Sequence, residues 1–174
     1  MIKALMKIST RNGAVAGVLA FVLLITMFYI GKHPLLVSPL FDFRILLFGI
    51  FIFFTLKEFR DFHQGGDLSF AFAMIGGLAV VLITSLVSSL LLYIFGSWNP
   101  EFVSSYVTQI MAYLKTFPKE DIDKIGKEIY ERNLKELPST NVSGLAETYF
   151  VQGMVIGFFV NIILSVILRR QTKH

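Results

Sequence analysis

Few residues in this chain are of types that do chemistry, and those few sit at the edges of apolar sequence. Asp42 and Arg44 open one apolar stretch, Glu147 opens another, and His33 lies in the connection before the first pair. Carboxylate, guanidinium and imidazole at one level are raw material for proton transfer, or for gripping a lipid headgroup. Asp42 and Arg44 are two residues apart, so on a helix they point in different directions and should not pair. The expected cross-helix ion pair is Arg44 with Glu147, with a headgroup site as the functional alternative. His63 and Asp67 suggest a metal, but two ligand types across a glycine turn make a poor site. Cysteine is absent, which removes disulfides, thiol nucleophiles and thiolate metal sites. No nucleophile–base set, glycine-rich phosphate loop or acidic metal cluster is recognisable. The expectation is a protein that is not an enzyme and that holds no cofactor and no metal.

The elements that position these residues follow from the apolar pattern. Four stretches, Gly13–Ile30, Leu40–Leu56, Leu68–Phe95 and Tyr149–Leu168, are interrupted once by a long charged segment. At about 1.5 Å per helical residue, each crosses much or all of a ~30 Å hydrocarbon core. Hydrophobic residues make up 55% of the 174, with 18 Phe, and charge is confined to ends and connections, where a soluble domain would interleave it. The predicted class is an all-α integral membrane protein, a single membrane domain over residues 1–174. It has four transmembrane helices (about 13–30, 40–56, 68–95 and 149–168) and a helical hairpin, about 99–138, inserted between the third and fourth.

Charge then sets orientation. Four spans put both ends of the chain on one side, with Lys3, Lys7, Arg11, Lys57, Arg60, Arg169, Arg170 and Lys173 against Glu58, Asp61 and Asp67. Short positive segments stay cytoplasmic. Both termini and the 57–67 connection are therefore expected in the cytoplasm and residues 96–148 outside. The net charge of +4 is better read as topology-setting than as a nucleic-acid face. Lys3, Lys7 and Arg11 would suit a signal peptide, but the apolar run is long and no small-x-small site follows it, so an uncleaved span is preferred. The lead-in 1–12 either lies in the interface or extends the first helix.

Small residues mark where helices can approach. Gly13 and Gly17 are four apart in the first span, Gly76 and Gly77 lie in the third, and Gly153, Gly157, Asn161 and Ser165 form one stripe on the fourth. Packing within the chain is preferred over dimerisation. An Asn amide facing lipid is unfavourable, so Asn161 should face the third span, where the same depth falls near Gly76 and Gly77, or another interior partner. Gln152 should meet the level of Ser88 and Ser89. Such groups are interhelical contacts or, alternatively, part of a transport path.

The charged insert opens on Asn99-Pro100-Glu101: a cap, a proline at the first helical position, and an acid near the helix N-terminus. Phe102, Val103, Tyr106, Val107, Ile110, Tyr113, Leu114 and Phe117 recur at three and four, one broad apolar face. A second helix after Pro118 turns Ile122, Ile125, Ile129, Tyr130, Leu134 and Leu137 inward and ends at Leu137-Pro138. Phe102, Tyr106, Ile110 and Tyr113 are the candidate partner surface, with a self-packed cap as the alternative.

The order of several features resembles a family of short bacterial membrane proteins catalogued as a domain of unknown function, numbered 4199. The features are Gly13 and Gly17, Arg60-Asp61 before Gly65-Gly66, Ser69-Phe70, Ala73 and Gly77, Asn99-Pro100-Glu101-Phe102, and Leu168-Arg169-Arg170. The resemblance implies a four-helix protein of the bacterial inner membrane with an external helical insert, and it supplies no catalytic residue or substrate. The leading expectation for function is a non-enzymatic accessory or scaffolding subunit. An oligomeric small-solute transporter and a lipid- or polyprenyl-carrier helper are the alternatives. The expected partners are membrane lipid and either a protein or further copies of the chain, with no nucleic acid.

Overall fold

A computed structural model describes residues 1–169; Arg170 and Lys173, counted above among the basic residues, lie outside the described residues. Seven α-helices and three 3-10 turns follow one another, and no strand occurs among the described residues. The long helices are α1 (Ile2–Tyr29), α2 (Arg44–His63), α3 (Phe70–Trp98) and α7 (Val142–Leu168). Between α3 and α7 lie α4 (Pro100–Lys115), α5 (Lys119–Ile125) and α6 (Lys127–Glu136).

The lead-in belongs to α1, which is helical from Ile2. Helix boundaries follow local chemistry. Gly65 and Gly66 take φ of 60° and 96°, reversing the chain between α2 and α3. The Ser69 hydroxyl then accepts from the Phe72 N–H and caps α3. Asn99 ends α3 and caps α4 through the Glu101 N–H, and Asn141 caps α7 through the Gly144 N–H. The second insert helix is not continuous as expected. Gly126, at φ 95°, breaks it into α5 and α6, and neither piece buries a residue.

Three helices, α1, α3 and α7, are long and apolar enough to cross a membrane, with mean hydropathies of 2.0, 2.5 and 2.3 over their best windows. α2 is not among them, because Lys57, Glu58, Arg60 and Asp61 occupy its last two turns.

α3 is the shared wall of the assembly. α1 and α7 both run along it, and α2 touches all three. Glycines set the approach. A Cβ at Gly13 would lie 3.1 Å from the Val80 carbonyl oxygen, and one at Gly17 would lie 2.7 Å from Val87 Cβ. One at Gly157 would lie 2.5 Å from Val81 Cγ1, and one at Gly76 would lie 2.7 Å from Leu5 Cδ1. In hydrocarbon, where burial alone does not drive helices together, such contact and interhelical hydrogen bonds carry the packing. The bonds include Ser9 to the Gly76 carbonyl at 3.0 Å and Thr84 to the Gly13 carbonyl at 3.1 Å.

Two apolar cores result. One, with Leu5, Phe48, Ile52, Leu56, Phe59 and Val80, fills the end near the glycine turn. The other, with Leu24, Leu35, Leu92, Phe102, Leu145 and Tyr149, fills the end near the insert. Along α3 the buried hydroxyl residues Thr84, Ser85, Ser88 and Ser89 lie between them.

Candidate functional site

The densest polar chemistry is at the start of α2. Arg44 is 2% exposed, yet its guanidinium is well partnered. Nε and one terminal nitrogen bind the Asp42 carboxylate, the closest contact being 2.5 Å. The other terminal nitrogen donates to the Tyr149 carbonyl at 2.7 Å, while the one bound to Asp42 also donates to Gln152 Oε1 at 3.3 Å. The guanidinium carbon stands 3.9 Å above the Tyr149 ring centre, a cation–π contact. A buried arginine is tolerable only when its charge is balanced and its N–H groups are used, and this geometry provides both.

Two expectations are corrected here. Asp42 does pair with Arg44, because Asp42 precedes the helix and the rule for helical neighbours does not govern it; its carboxylate also accepts the Arg44 backbone N–H at 2.9 Å. Glu147 is not the partner. It is exposed on the outside of α7, and none of the ion pairs among the described residues includes it. Gln152 turns to Arg44, while Ser88 and Ser89 donate to carbonyls of their own helix, at Ser85 and Leu86. The Ser85 hydroxyl and the Tyr149 hydroxyl are buried without a hydrogen-bond partner.

Deeper along α7, Asn161 is fully buried against α3. Its amide donates to the Met74 carbonyl at 3.1 Å, and its oxygen accepts from Ser165 at 3.2 Å. A Cβ on Gly77 would overlap that amide oxygen, so the glycine makes the niche. These groups are spent on one another rather than lined along an open path.

The second polar site joins the insert to the long helices. His33 is 1% exposed, ringed by Phe28, Phe102 and Tyr106. Nδ1 accepts the Leu35 N–H at 3.4 Å and Nε2 lies 3.1 Å from the Phe102 carbonyl oxygen. That pattern requires a neutral ring with its proton on Nε2. Burial pushes the pKa down to about 4, partly opposed by the bond to Phe102. Burial also raises the Tyr106 phenol. Gln109 completes the joint: its Oε1 accepts the His33 backbone N–H at 3.0 Å and its amide reaches the Gly31 carbonyl at 3.4 Å. Gln109 was missed in the sequence. Its signal was there, a polar residue at i+7 from Phe102 and i+3 from Tyr106 on the apolar face of α4.

This joint also corrects the candidate partner surface. Phe102 is fully buried and Tyr106 covers His33, so both anchor α4 to the body of the protein. Ile110 is half-buried, and Tyr113 is 62% exposed. Beyond Tyr106 the insert holds itself loosely. The Tyr130 hydroxyl donates to the Leu114 carbonyl at 3.0 Å, and beside that bond lies an open cavity of about 460 Å³. Its walls are Ile110, Leu114, Phe117, Ile125, Tyr130 and Leu137, with Asn133, Glu136, Ser139 and Thr140 at the rim. Ile125 and Ile129, expected to point inward, are 43% and 45% exposed. No group of three or more His, Cys, Asp or Glu able to hold a metal occurs among the described residues.

Residues 11–170 match the family described as "Protein of unknown function (DUF4199)". No curated protein and no solved structure matches the chain.

Proposed function

The chain belongs to the DUF4199 family, and from that premise we propose that it is a four-span protein of a bacterial inner membrane, acting as a non-enzymatic accessory or scaffolding subunit. The observation that carries the functional part is the open apolar cavity of the insert, walled by α4, α5 and α6. A helical appendage that only capped the spans would close over its own apolar residues. This one leaves Tyr113, Ile125 and Ile129 in the open, as a surface awaiting a partner does.

α2 serves as the fourth span in this reading. Its outward face is apolar, with Leu46 67% and Phe54 56% exposed, as lipid contact requires. Its one charge at the insert end, Arg44, is neutralised by Asp42. Lys57, Glu58, Arg60 and Asp61 then emerge at the opposite surface, where Glu58 meets Arg11 at 2.5 Å. The basic residues at that end support a reading in which it faces the cytoplasm, with both termini there and the insert outside.

Transport fits less well, because Asn161 and Ser165 are fully buried and bonded to each other. A lipid-headgroup role for Arg44 fits less well too, because its guanidinium is already occupied.

The test is native mass spectrometry of the protein extracted gently from its own membrane, as wild type and as Leu114→Asp with Ile125→Asp. A stoichiometric second protein present with wild type and lost in the double variant is expected. A pure homo-oligomer, or a partner retained by the variant, would sink the insert-mediated reading.

A further inference from the structure

The segment after Pro118 is patterned as one helix and folded as two. At about 100° per residue, Ile122, Ile125 and Ile129 fall within about 60° of one another, with Tyr130 and Leu137 beside them and Gly126 inside the same stripe. Lys124, Lys127, Glu128, Glu131 and Lys135 take the opposite side and are exposed. Yet the helix breaks at Gly126, which stands at φ 95° and ψ 120°. A Cβ there would meet only the Ile129 side chain, at 3.8 Å, so conformation rather than space demands the glycine.

The break leaves groups unused that a straight helix would use. The first helical bond of α6 runs from the Tyr130 N–H to the Gly126 carbonyl at 3.0 Å. The N–H groups of Lys127, Glu128 and Ile129 therefore have no helical acceptor, and no side chain caps them. Ile125 and Ile129, on either side of the break, are 43% and 45% exposed. Ile125 borders two hollows, the cavity of about 460 Å³ beside Leu114 and Tyr130 and another of about 450 Å³ beside Tyr113 and Pro118. Neither α5 nor α6 runs along α4 as the arm of a closed hairpin would. The lengths for such a hairpin are present. α4 has 16 residues, about 24 Å, and the 7 of α5 and 10 of α6 joined through Gly126 would make about 27 Å. The turn 116–118 between them is short, as antiparallel neighbours require.

We propose that Gly126 is a hinge, and that segment 119–136 has a second state in which it is one helix laid along α4 with the cavity shut. In that state the three free N–H groups bond to the carbonyls of Asp123, Lys124 and Ile125, and the isoleucine stripe covers Ile110, Leu114 and Phe117. A glycine passes between φ 95° and helical φ at little steric cost, which is what a hinge residue must do. A local pattern at odds with the fold around it marks a place held away from its own preference. Closure is then autoinhibitory, because the stripe occupies the surface that a partner would take. That role rests on the preceding reading of the cavity as a docking surface; the hinge itself does not.

The chain has no cysteine, so Leu114→Cys places a single thiol in the cavity wall. Two rates are measured on the full protein in nanodiscs, with and without Gly126→Ala: amide hydrogen exchange over 127–129, and modification of that thiol by a maleimide. Alanine is strained at φ 95° and favours helix, so Gly126→Ala should slow exchange about tenfold and modification about fivefold. Adding Ile122→Ser and Ile129→Ser should restore modification, since the stripe that shuts the cavity is gone. Unchanged or faster exchange in Gly126→Ala would overturn the hinge. Slowed exchange with unchanged modification, or no rescue by the serines, would overturn closure. In native mass spectrometry of protein from its own membrane, Gly126→Ala should lose the second protein that wild type retains, and its retention would overturn autoinhibition. Absence of a second protein from wild type would instead defeat the docking reading, while exchange and modification still decide the hinge.

Discussion

The guanidinium of Arg44 reaches the backbone carbonyl of Tyr149 at 2.7 Å, and its carbon stands over the same residue's ring, 3.9 Å from the ring centre. One residue of α7 therefore serves the cation twice, with its backbone and with its π face. The neighbour that permits this is Gly153, one turn on. A Cβ there would stand 3.2 Å from the guanidinium nitrogen and 2.6 Å from the Ser85 hydroxyl.

Gly153→Ala is accordingly expected to push α7 away from both α2 and α3, costing about 1–3 kcal/mol, the usual range for overpacking. Tyr149→Phe should do no harm, since it removes a buried hydroxyl that has no partner and keeps the ring under Arg44. Thermal unfolding in detergent measures both. A Tyr149→Phe variant as unstable as Gly153→Ala would mean that the hydroxyl has a partner of its own.

The niche of Asn161 supports a paired experiment. Gly77→Ala alone places a methyl group on the amide oxygen and should destabilise the α3–α7 contact by about 1–3 kcal/mol. Asn161→Ala alone loses the bond to the Met74 carbonyl and leaves Ser165 without its acceptor. Together they should cost less than the sum, with a coupling of about 0.5–3 kcal/mol, because the second change removes the atoms the first collides with. Strict additivity in a double-mutant cycle would show that the two residues do not share the niche.

His33 makes docking of the insert dependent on pH. Its pKa is about 4 in the docked state against an ordinary 6.5, so the undocked form takes up a proton first as pH falls. Docking is therefore at full strength above pH 6.5 and weakens as pH drops from 6.5 toward 4, by about 1.4 kcal/mol per unit within that window. Hydrogen exchange in α4 should accelerate between pH 7 and pH 5 after correction for the intrinsic rate. His33→Gln should flatten that dependence, and an unchanged slope in the variant would assign the effect to another group.

Much of the framework was legible in the residues. Asn99-Pro100-Glu101 marks the end of α3 and the start of α4 by itself, because capping is a local interaction within one turn. Gly65-Gly66 marks the reversal, because only glycine takes those φ values at little cost. The depth match of Asn161 with Gly77 followed from helical rise and the need to hide an amide from lipid. Membership of the family was also readable, from the order of these features along the chain.

Partner choice across space was not. Asp42 takes Arg44, and Glu147 does not, because the chain leaves helical geometry just before α2 and α7 turns Glu147 outward; neither is set by spacing. Phe102 and Tyr106 belong to the same periodic face as Ile110 and Tyr113, yet the first two are anchors and the last is in the open. Periodicity says which residues share a face and nothing about how far along it a neighbour extends. The sequence alone therefore determined the long apolar helices, the cap at Asn99 and the Gly65-Gly66 reversal, and the small positions where helices meet, but not the break at Gly126. Only the tertiary structure decided which side chains meet there, because that depends on helix rotation and on distances between segments up to about a hundred residues apart, as with Arg44 and Tyr149.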